Sequence, residues 1–326
     1  MAKTRREFLQ SSTALAIGVV GGASIRPAAA ADARAETPAL PAAGSQAGAQ
    51  GSGVEIQIPK MKFGGVELSR LVLGVNPFYG WSHYNANYNK VMSDWYTQDK
   101  VCEVMHRANS YGINGFNYVN AARAQQDWAR FQAEGGAMHL IIQVTAKDDA
   151  ETLVKTLKPL ALQRQGEVVD IAFKQRTMDT VREWCKKVRD MGVLVGVGTH
   201  KPEVIQLVEE QGWDVDFYAG CVYNRTRTET EWKQTLSNEL PEMAGEIYLR
   251  SDPARMYQVI RQTAKPCFAF KILAAGRIGD NNVEQAFRTA YQNIKPTDGI
   301  YVGMFPYRKD EVKENAETVY RILTGA

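Results

Sequence analysis

The chain has 326 residues, of which 44% are hydrophobic and 23% charged, so it has the composition of an ordinary globular protein. Its formal net charge is only +3, and the lysines and arginines are scattered along the sequence. This charge distribution provides no basic surface for nucleic acid or for an anionic membrane. Neither is expected as a partner.

The first 30 residues are typical of an export signal. Arg5 and Arg6 precede a moderately apolar run at residues 14–25, and small residues follow at 28–30. This pattern predicts a twin-arginine signal peptide, the twin-arginine export machinery as a partner and a periplasmic or otherwise exported protein. Cleavage after Ala30 or Ala35 fits equally well, and no stable membrane span is expected afterwards. An N-terminal membrane helix is the alternative, although the run is short and rich in glycine.

A flexible linker is predicted at residues 31–58, followed by one domain at residues 59–326. The linker consists mainly of alanine, glycine, proline, glutamine and serine, and it has too few large apolar residues to form a core.

Within this domain, short apolar runs alternate with segments of helical periodicity. A hairpin is predicted at residues 61–68, around Gly64 and Gly65. Eight further strands are predicted at residues 69–75, 112–118, 139–144, 168–173, 193–197, 215–221, 267–270 and 299–303. Helices are predicted between them, at residues 98–110, 125–133, 150–162, 178–191, 202–211, 253–263, 283–293 and 310–323.

The segment 192–224 contains a complete strand–helix–strand unit. Pro202 is at a first-turn position and Gly212 ends the helix, so the crossover is short and requires two parallel neighbouring strands. Eight repeats of this unit over about 260 residues predict an α/β protein with a (β/α)8 TIM barrel and an N-terminal hairpin. An open doubly wound sheet is the alternative, but no glycine-rich fingerprint follows the first strand.

The residues that end the barrel strands face one mouth, where TIM-barrel chemistry takes place. Ligand-binding candidates there are Asn76, Tyr79, Trp81, Tyr223 and Asn224. The loop after the first strand is rich in aromatic residues, which favours either a sugar-stacking surface or a loop packed over the rim.

Several segments, in their chain order, resemble the aldo/keto reductase family. They are residues 68–74, 112–117, 192–224 and 270–277, together with Glu314 and Asn315 in the last helix. The resemblance covers residues 61–323. It implies a barrel that binds a nicotinamide cofactor, NADP being one candidate, through Lys271, Arg277, Glu314 and Asn315.

The catalytic positions depart from that family, which uses an aspartate, a tyrosine proton donor, a lysine and a histidine. The corresponding residues are Asn117, Ala122, Lys147 and Gln175. Because the usual proton donors are missing and an exported protein meets little free reduced nicotinamide, ordinary carbonyl reduction is not favoured. Asn117 and Gln175 are instead expected to bind ligand.

Three lysines are predicted at or just past strand ends: Lys147, Lys174 and Lys271. A desolvated lysine has a lowered pKa and can act as a base or form a Schiff base. Lys147 and Lys174 are therefore catalytic candidates, with His83 and His200 from the mouth loops. The lysines could equally bind an anionic ligand or pair with Asp170 and Asp216.

No metal site is predicted, because no histidine pair has the spacing of ligands. Four cysteines without paired spacing favour buried thiols over a disulfide.

Three functions remain open from the sequence. The first is an exported enzyme that acts on a polar carbonyl or carbohydrate-like small molecule by lysine- and histidine-assisted chemistry. The second is a reductase that carries its nicotinamide cofactor through export. The third is a non-catalytic ligand-binding barrel.

Overall fold

A closed barrel of eight parallel strands lies at the centre of the computed structural model, which describes residues 55–121, 123–238 and 245–326. The barrel strands are β3 (Leu71–Gly74), β4 (Gly115–Val119), β5 (His139–Val144), β6 (Ala161–Arg164), β7 (Leu194–Thr199), β8 (Phe217–Cys221), β9 (Cys267–Phe270) and β10 (Gly299–Gly303). Strand β10 pairs with β3 and closes the barrel. The predicted TIM barrel is confirmed.

Helices surround the barrel, and most of them pack against the outer face of its strands. They are α1 (Ala86–Trp95), α2 (Gln98–Ser110), α3 (Ala124–Ala133), α4 (Ala150–Leu157), α5 (Gly166–Lys174), α6 (Met178–Asp190), α7 (Pro202–Glu210), α8 (Glu229–Thr235), α9 (Asp252–Gln262), α10 (Val283–Asn293) and α11 (Glu311–Thr324). Their apolar faces and the outward strand residues form the larger core. None of the helices in the described ranges has the length and apolar character needed to cross a membrane.

The predicted hairpin, β1 (Lys60–Phe63) with β2 (Val66–Ser69), packs against the residues that fill the barrel interior. The Phe63 ring lies 5.2 Å from the rings of both Phe217 and Phe268, edge to face in each case. Since strand side chains alternate between faces, these residues belong to a second, inner core. The hairpin therefore supports the barrel interior from the side of the strands' amino ends.

The fourth strand is not where the sequence predicted it. Residues 168–173 belong to helix α5, and the strand is β6, whose first two residues were predicted as the end of a helix and whose last two were assigned to no element. Helix α5 buries Val169, Asp170 and Ala172 but leaves Ile171 46% exposed, as an amphipathic helix does and a central barrel strand does not. A short apolar run alone does not distinguish these two structures.

The proposed signal peptide and most of the linker lie outside the described residues. Ile58, at the end of the predicted linker, is buried, and its N–H donates to the carbonyl of Tyr111. The barrel domain thus uses the last linker residues as part of its packing.

Candidate functional site

A cavity of about 230 Å³ opens at the carboxyl ends of the barrel strands. Its floor is formed by residues inside the barrel, its wall by the loops after β3 and β9, and its outer part continues as a groove towards α11. This is the end of a TIM barrel at which binding and chemistry take place.

Three neutral amides and a phenol form the floor. Asn117, Gln143 and Gln163 extend from the neighbouring strands β4, β5 and β6, and Tyr301 extends from β10. The Gln143 amide donates to Asn117 Oδ1 at 2.8 Å, and the Tyr301 hydroxyl lies 3.4 Å from Gln163 Oε1. The floor can therefore hydrogen-bond hydroxyl or carbonyl groups of a ligand, and none of these four side chains brings a negative charge at neutral pH.

Gly198 on β7 makes room for this floor. A Cβ atom at this position would lie 2.7 Å from Gln163 Nε2 and 2.8 Å from the carbonyl oxygen of Arg164. A side chain here would displace the Gln163 amide or the adjacent strand.

The carboxylate of Glu246 contacts two residues that line one wall of the cavity, His83 and Lys271. Its Oε1 accepts from His83 Nδ1 at 2.7 Å and lies 2.6 Å from an Arg225 nitrogen. Its Oε2 accepts from the Tyr248 hydroxyl at 2.6 Å and lies 3.3 Å from Lys271 Nζ. Although burial opposes ionisation, the His83 hydrogen bond and the Lys271 charge lower the pKa of Glu246 far below its ordinary value.

Lys271 directly follows β9, and its ammonium group is almost completely buried at the cavity. Burial lowers the pKa of Lys271 to about 8, although the Glu246 charge favours the ammonium form. Nζ also lies 3.2 Å from the Tyr248 hydroxyl. An amine with this pKa is partly neutral at physiological pH and is available as a nucleophile or base.

The backbone is strained at two wall residues. Lys271 has φ +60° and His83 has φ +57°, in the left-handed region that residues other than glycine rarely adopt. Strained backbone of this kind is concentrated at functional sites, where the surrounding contacts hold it.

His83 is held between two partners. Its Nδ1 donates to Glu246, and its Nε2 lies 3.0 Å from the Asn76 side-chain amide, which donates to it. Burial lowers the pKa of His83, so the ring is neutral at pH 7 and the tautomer matches both contacts.

His200 lies behind this wall and does not line the cavity. Its Nδ1 donates to the buried carboxylate of Asp170 at 2.8 Å, and its Nε2 lies 3.5 Å from an Arg225 nitrogen. Asp170 also accepts from the hydroxyls of Thr199 and Thr226, at 2.6 and 2.9 Å. Complete burial lowers the pKa of His200 despite the Asp170 charge. Because Asp170 fixes the ring, His200 Nε2 is held against the Arg225 guanidinium and helps to position it.

The outer groove extends from the loop after β9 to the first turn of α11. Asn315 is buried at its edge, and burial raises the pKa of the Glu311 carboxyl to about 7. Lys309 is the lysine of the groove, and it already pairs with Glu314 at 3.0 Å. Since carboxylates outnumber cations here, the described residues do not fit the 2′-phosphate of NADP.

Other predicted site residues have structural partners. Arg277 donates to the carbonyl oxygens of His83 and Glu246, at 2.8 and 3.0 Å, and so fixes the wall instead of facing a cofactor. The Tyr79 hydroxyl donates to Asp127 at 3.1 Å. Tyr223 packs against Tyr248, with 5.0 Å between ring centroids, and Asn224 donates its backbone N–H to Asp252. Trp81, in contrast, lines the cavity and is 40% exposed.

Two predicted catalytic lysines lie outside the cavity. Lys174 is the last residue of α5 and Gln175 follows it, and both are exposed because this segment is a helix and not a barrel strand. Lys147 is exposed in the turn after β5. The placement of Lys174 and Gln175 at the mouth is therefore wrong. Ala122 lies outside the described residues.

Gln143, Gln163 and Tyr301 on the cavity floor were missed from the sequence, as were Glu246 and Tyr248 beside Lys271. Gln163 would have been found if the fourth strand had been placed at β6, since it then points into the barrel. Glu246 and Tyr248 are in a polar segment without periodicity, and no sequence signal distinguishes them.

The four cysteines, Cys102, Cys185, Cys221 and Cys267, are free thiols buried in the core. Across the described ranges, no group of three or more histidine, cysteine, aspartate or glutamate residues could hold a metal ion.

No family model matches the chain, and no curated protein matches it. Solved structures do resemble it. A truncated 3-deoxy-D-arabino-heptulosonate 7-phosphate synthase from Thermotoga maritima is 11% identical, with a TM-score of 0.50 over 83% of this chain and 92% of that one. An aldo/keto reductase from Brucella melitensis is 11% identical, with a TM-score of 0.43 over 82% of this chain and 98% of that one. At such identities the first match shows the TIM-barrel fold alone.

Proposed function

We propose that this protein is an exported small-molecule enzyme that acts on polar carbonyl or carbohydrate-like compounds, with Lys271 as its reactive amine. The observation that carries the proposal is the position of Lys271: buried at the end of a barrel strand, with a pKa lowered to about 8, beside an open cavity. The sequence alone favoured Lys147 and Lys174 as the catalytic lysines, and in this proposal Lys271 takes their role.

The proposed chemistry begins with the neutral amine of Lys271. It adds to the carbonyl carbon of the substrate, and loss of one water molecule gives an imine in which nitrogen replaces the carbonyl oxygen. The amides of Asn117, Gln143 and Gln163 are placed to bind substrate hydroxyls. Two groups can carry protons during these steps: the Tyr248 hydroxyl, which contacts Lys271, and the His83 ring, which contacts Glu246. Imine formation would activate the neighbouring carbon for isomerisation or elimination.

Borohydride trapping tests this proposal. The protein is mixed with a keto-sugar such as fructose, reduced, digested and analysed by mass spectrometry. We expect a reduced adduct on Lys271, its loss in Lys271→Met, and its retention in the matched exposed variant Lys174→Met. Ligand binding without any adduct on Lys271 would instead favour the non-catalytic binding barrel.

A second candidate is a nicotinamide-dependent reductase. Two observations favour it: Lys271 contacts a tyrosine hydroxyl, and the cavity continues as a groove towards Asn315. The amides at Asn117 and Gln163 and the carboxylates near Lys309 argue against it. Fluorescence titration with NADH and NADPH separates the candidates, since saturable binding of NADH with hydride transfer to a carbonyl would establish the reductase.

Export by the twin-arginine machinery is part of the proposal and rests on Arg5, Arg6 and the sequence that follows. We expect the protein in the periplasm with its amino terminus after Ala30 or Ala35. Replacing both arginines by lysine should leave an uncleaved precursor in the cytoplasm, as cell fractionation and N-terminal sequencing would report. Unchanged processing of this variant would contradict the assignment.

A further inference from the structure

The protein places one of its own carboxylates against the proposed reactive amine. Glu246 receives four partners, and they divide between its two oxygens: His83 and Arg225 at Oε1, and Tyr248 and Lys271 at Oε2. His83 and Lys271 both line the cavity. These four groups all donate hydrogen bonds to oxygen. A ligand that suits them therefore has a carboxylate and a further oxygen on the adjacent carbon.

The donors around Glu246 exceed the acceptors that the described residues provide. Lys271 has three ammonium hydrogens and two partners, Glu246 and the Tyr248 hydroxyl. The Nε atom of Arg225 is buried and has no hydrogen-bond partner among the described residues. Unused buried donors are costly, so an anionic ligand with more acceptor oxygens than Glu246 would complete the site.

We propose that the substrate is a carbonyl compound with a carboxylate beside the carbonyl, a 2-oxo acid, and that its carboxylate displaces Glu246 from Arg225 and His83. The carbonyl carbon then lies next to Lys271. This inference rests on the proposed function of Lys271 and adds the chemical class of the substrate.

Electrostatics make the displacement selective. Arg225 is largely buried and Lys271 is almost completely so, and leaving both without an anion is strongly unfavourable. Glu246 supplies the anion in the free protein. A neutral ketone that displaced Glu246 would leave the cations unpaired, whereas a 2-oxo acid replaces one carboxylate by another.

The backbone around Glu246 is held at the site from two sides. Arg277 donates to the Glu246 carbonyl and to the His83 carbonyl, and its guanidinium lies 4.3 Å from the centroid of the Tyr248 ring. The side chain of Glu246 can therefore exchange with a ligand while its backbone stays attached. This makes Glu246 a built-in competitor of the substrate.

Matched pairs of ligands test the inference on the full-length protein. Pyruvamide replaces the carboxylate of pyruvate by a neutral amide of similar size, and 2-oxogluconate and fructose extend the comparison to sugars. By isothermal titration we expect each acid to bind at least about tenfold tighter than its neutral partner. Glu246→Ala should bind the acids about tenfold tighter than the native protein does, because the competing carboxylate is gone. Arg225→Met should bind each acid and its neutral partner equally.

Two controls keep the test decisive. Glu246→Gln retains the shape of the side chain and should give the same direction of change if Glu246→Ala does not fold. Glu183→Gln, on the exposed face of α6, removes a carboxylate far from the cavity wall and should leave the preference unchanged.

Equal binding of acids and neutral ligands, in the native protein and in both Glu246 variants, would overturn the inference. If borohydride still trapped neutral ketones on Lys271, the proposed function would stand without it. If neither class were trapped on Lys271, the proposed function itself would fail.

Discussion

The lowered pKa of Lys271 can be measured without knowing the substrate. At its ordinary value of 10.5 a lysine is almost entirely ammonium at pH 7, whereas a pKa of about 8 leaves roughly one molecule in ten neutral. The neutral fraction of Lys271 at pH 7 is thus about 300-fold larger than that of an ordinary lysine. Acylation requires the neutral amine, so the pH dependence of acylation reports this pKa.

Trace labelling with isotopic acetic anhydride provides the assay, because the reagent is small enough to enter the cavity. The rate at each lysine is measured by peptide mass spectrometry between pH 6 and 11. Lys147 and Lys174, which are exposed, serve as references within the same molecule. We expect the Lys271 rate to reach half its maximum near pH 8.

Glu246→Gln sharpens this prediction. The Glu246 charge favours the ammonium form of Lys271, so removing it should move the midpoint to a lower pH. The reasoning is refuted if Lys271 titrates near 10.5 in the native protein, or if the variant shifts the midpoint upwards.

Three further predictions concern stability. Asp170→Asn removes a buried acceptor of four donors and should cost about 2–4 kcal/mol in urea unfolding, with a loss below 0.5 kcal/mol contradicting the assigned contacts. Phe63→Ala should cost about 3–5 kcal/mol, since it removes a buried ring from the inner core, and an unchanged urea midpoint would show that the hairpin is not packed there. Burial lowers the pKa values of His83 and His200, so the unfolded chain binds more protons than the folded one and stability should fall as the pH drops below about 6.5. The lowered pKa values of Asp170 and Glu246 extend this loss below about pH 4.5. Urea midpoints that stay constant from about pH 7.5 to about pH 3 would contradict the assignments of the histidines and of the carboxylates.

Most of the fold could be predicted because its signals are local. The β-branched runs of β5 and β7 and the helix signals around Pro202 give the correct elements, and their alternation gives the barrel. The fourth strand failed for a physical reason. Strand β6 has only four residues, whereas helix α5 contains a mostly apolar run at residues 168–173 that also suits a buried strand.

The candidate site could be predicted only in part. Asn117 lies within β4, Lys271 directly follows β9 and His83 is in the loop after β3, so their place at the cavity follows from the topology. Glu246 depends instead on the path of a long polar loop, which periodicity does not specify. The error at the fourth strand also explains the choice of Lys174 and Gln175. Residues 168–173 form a helix and not a barrel strand, so the residues that follow them do not lie at the mouth of the barrel.

A structure of the protein with a 2-oxo acid bound, with and without borohydride reduction, tests the central claim most directly. We expect the ligand at the barrel mouth, with its carbonyl carbon bonded to or in contact with Lys271 Nζ, its carboxylate on Arg225, and Glu246 displaced. A ligand elsewhere on the protein, with Glu246 still paired to Lys271, would contradict it.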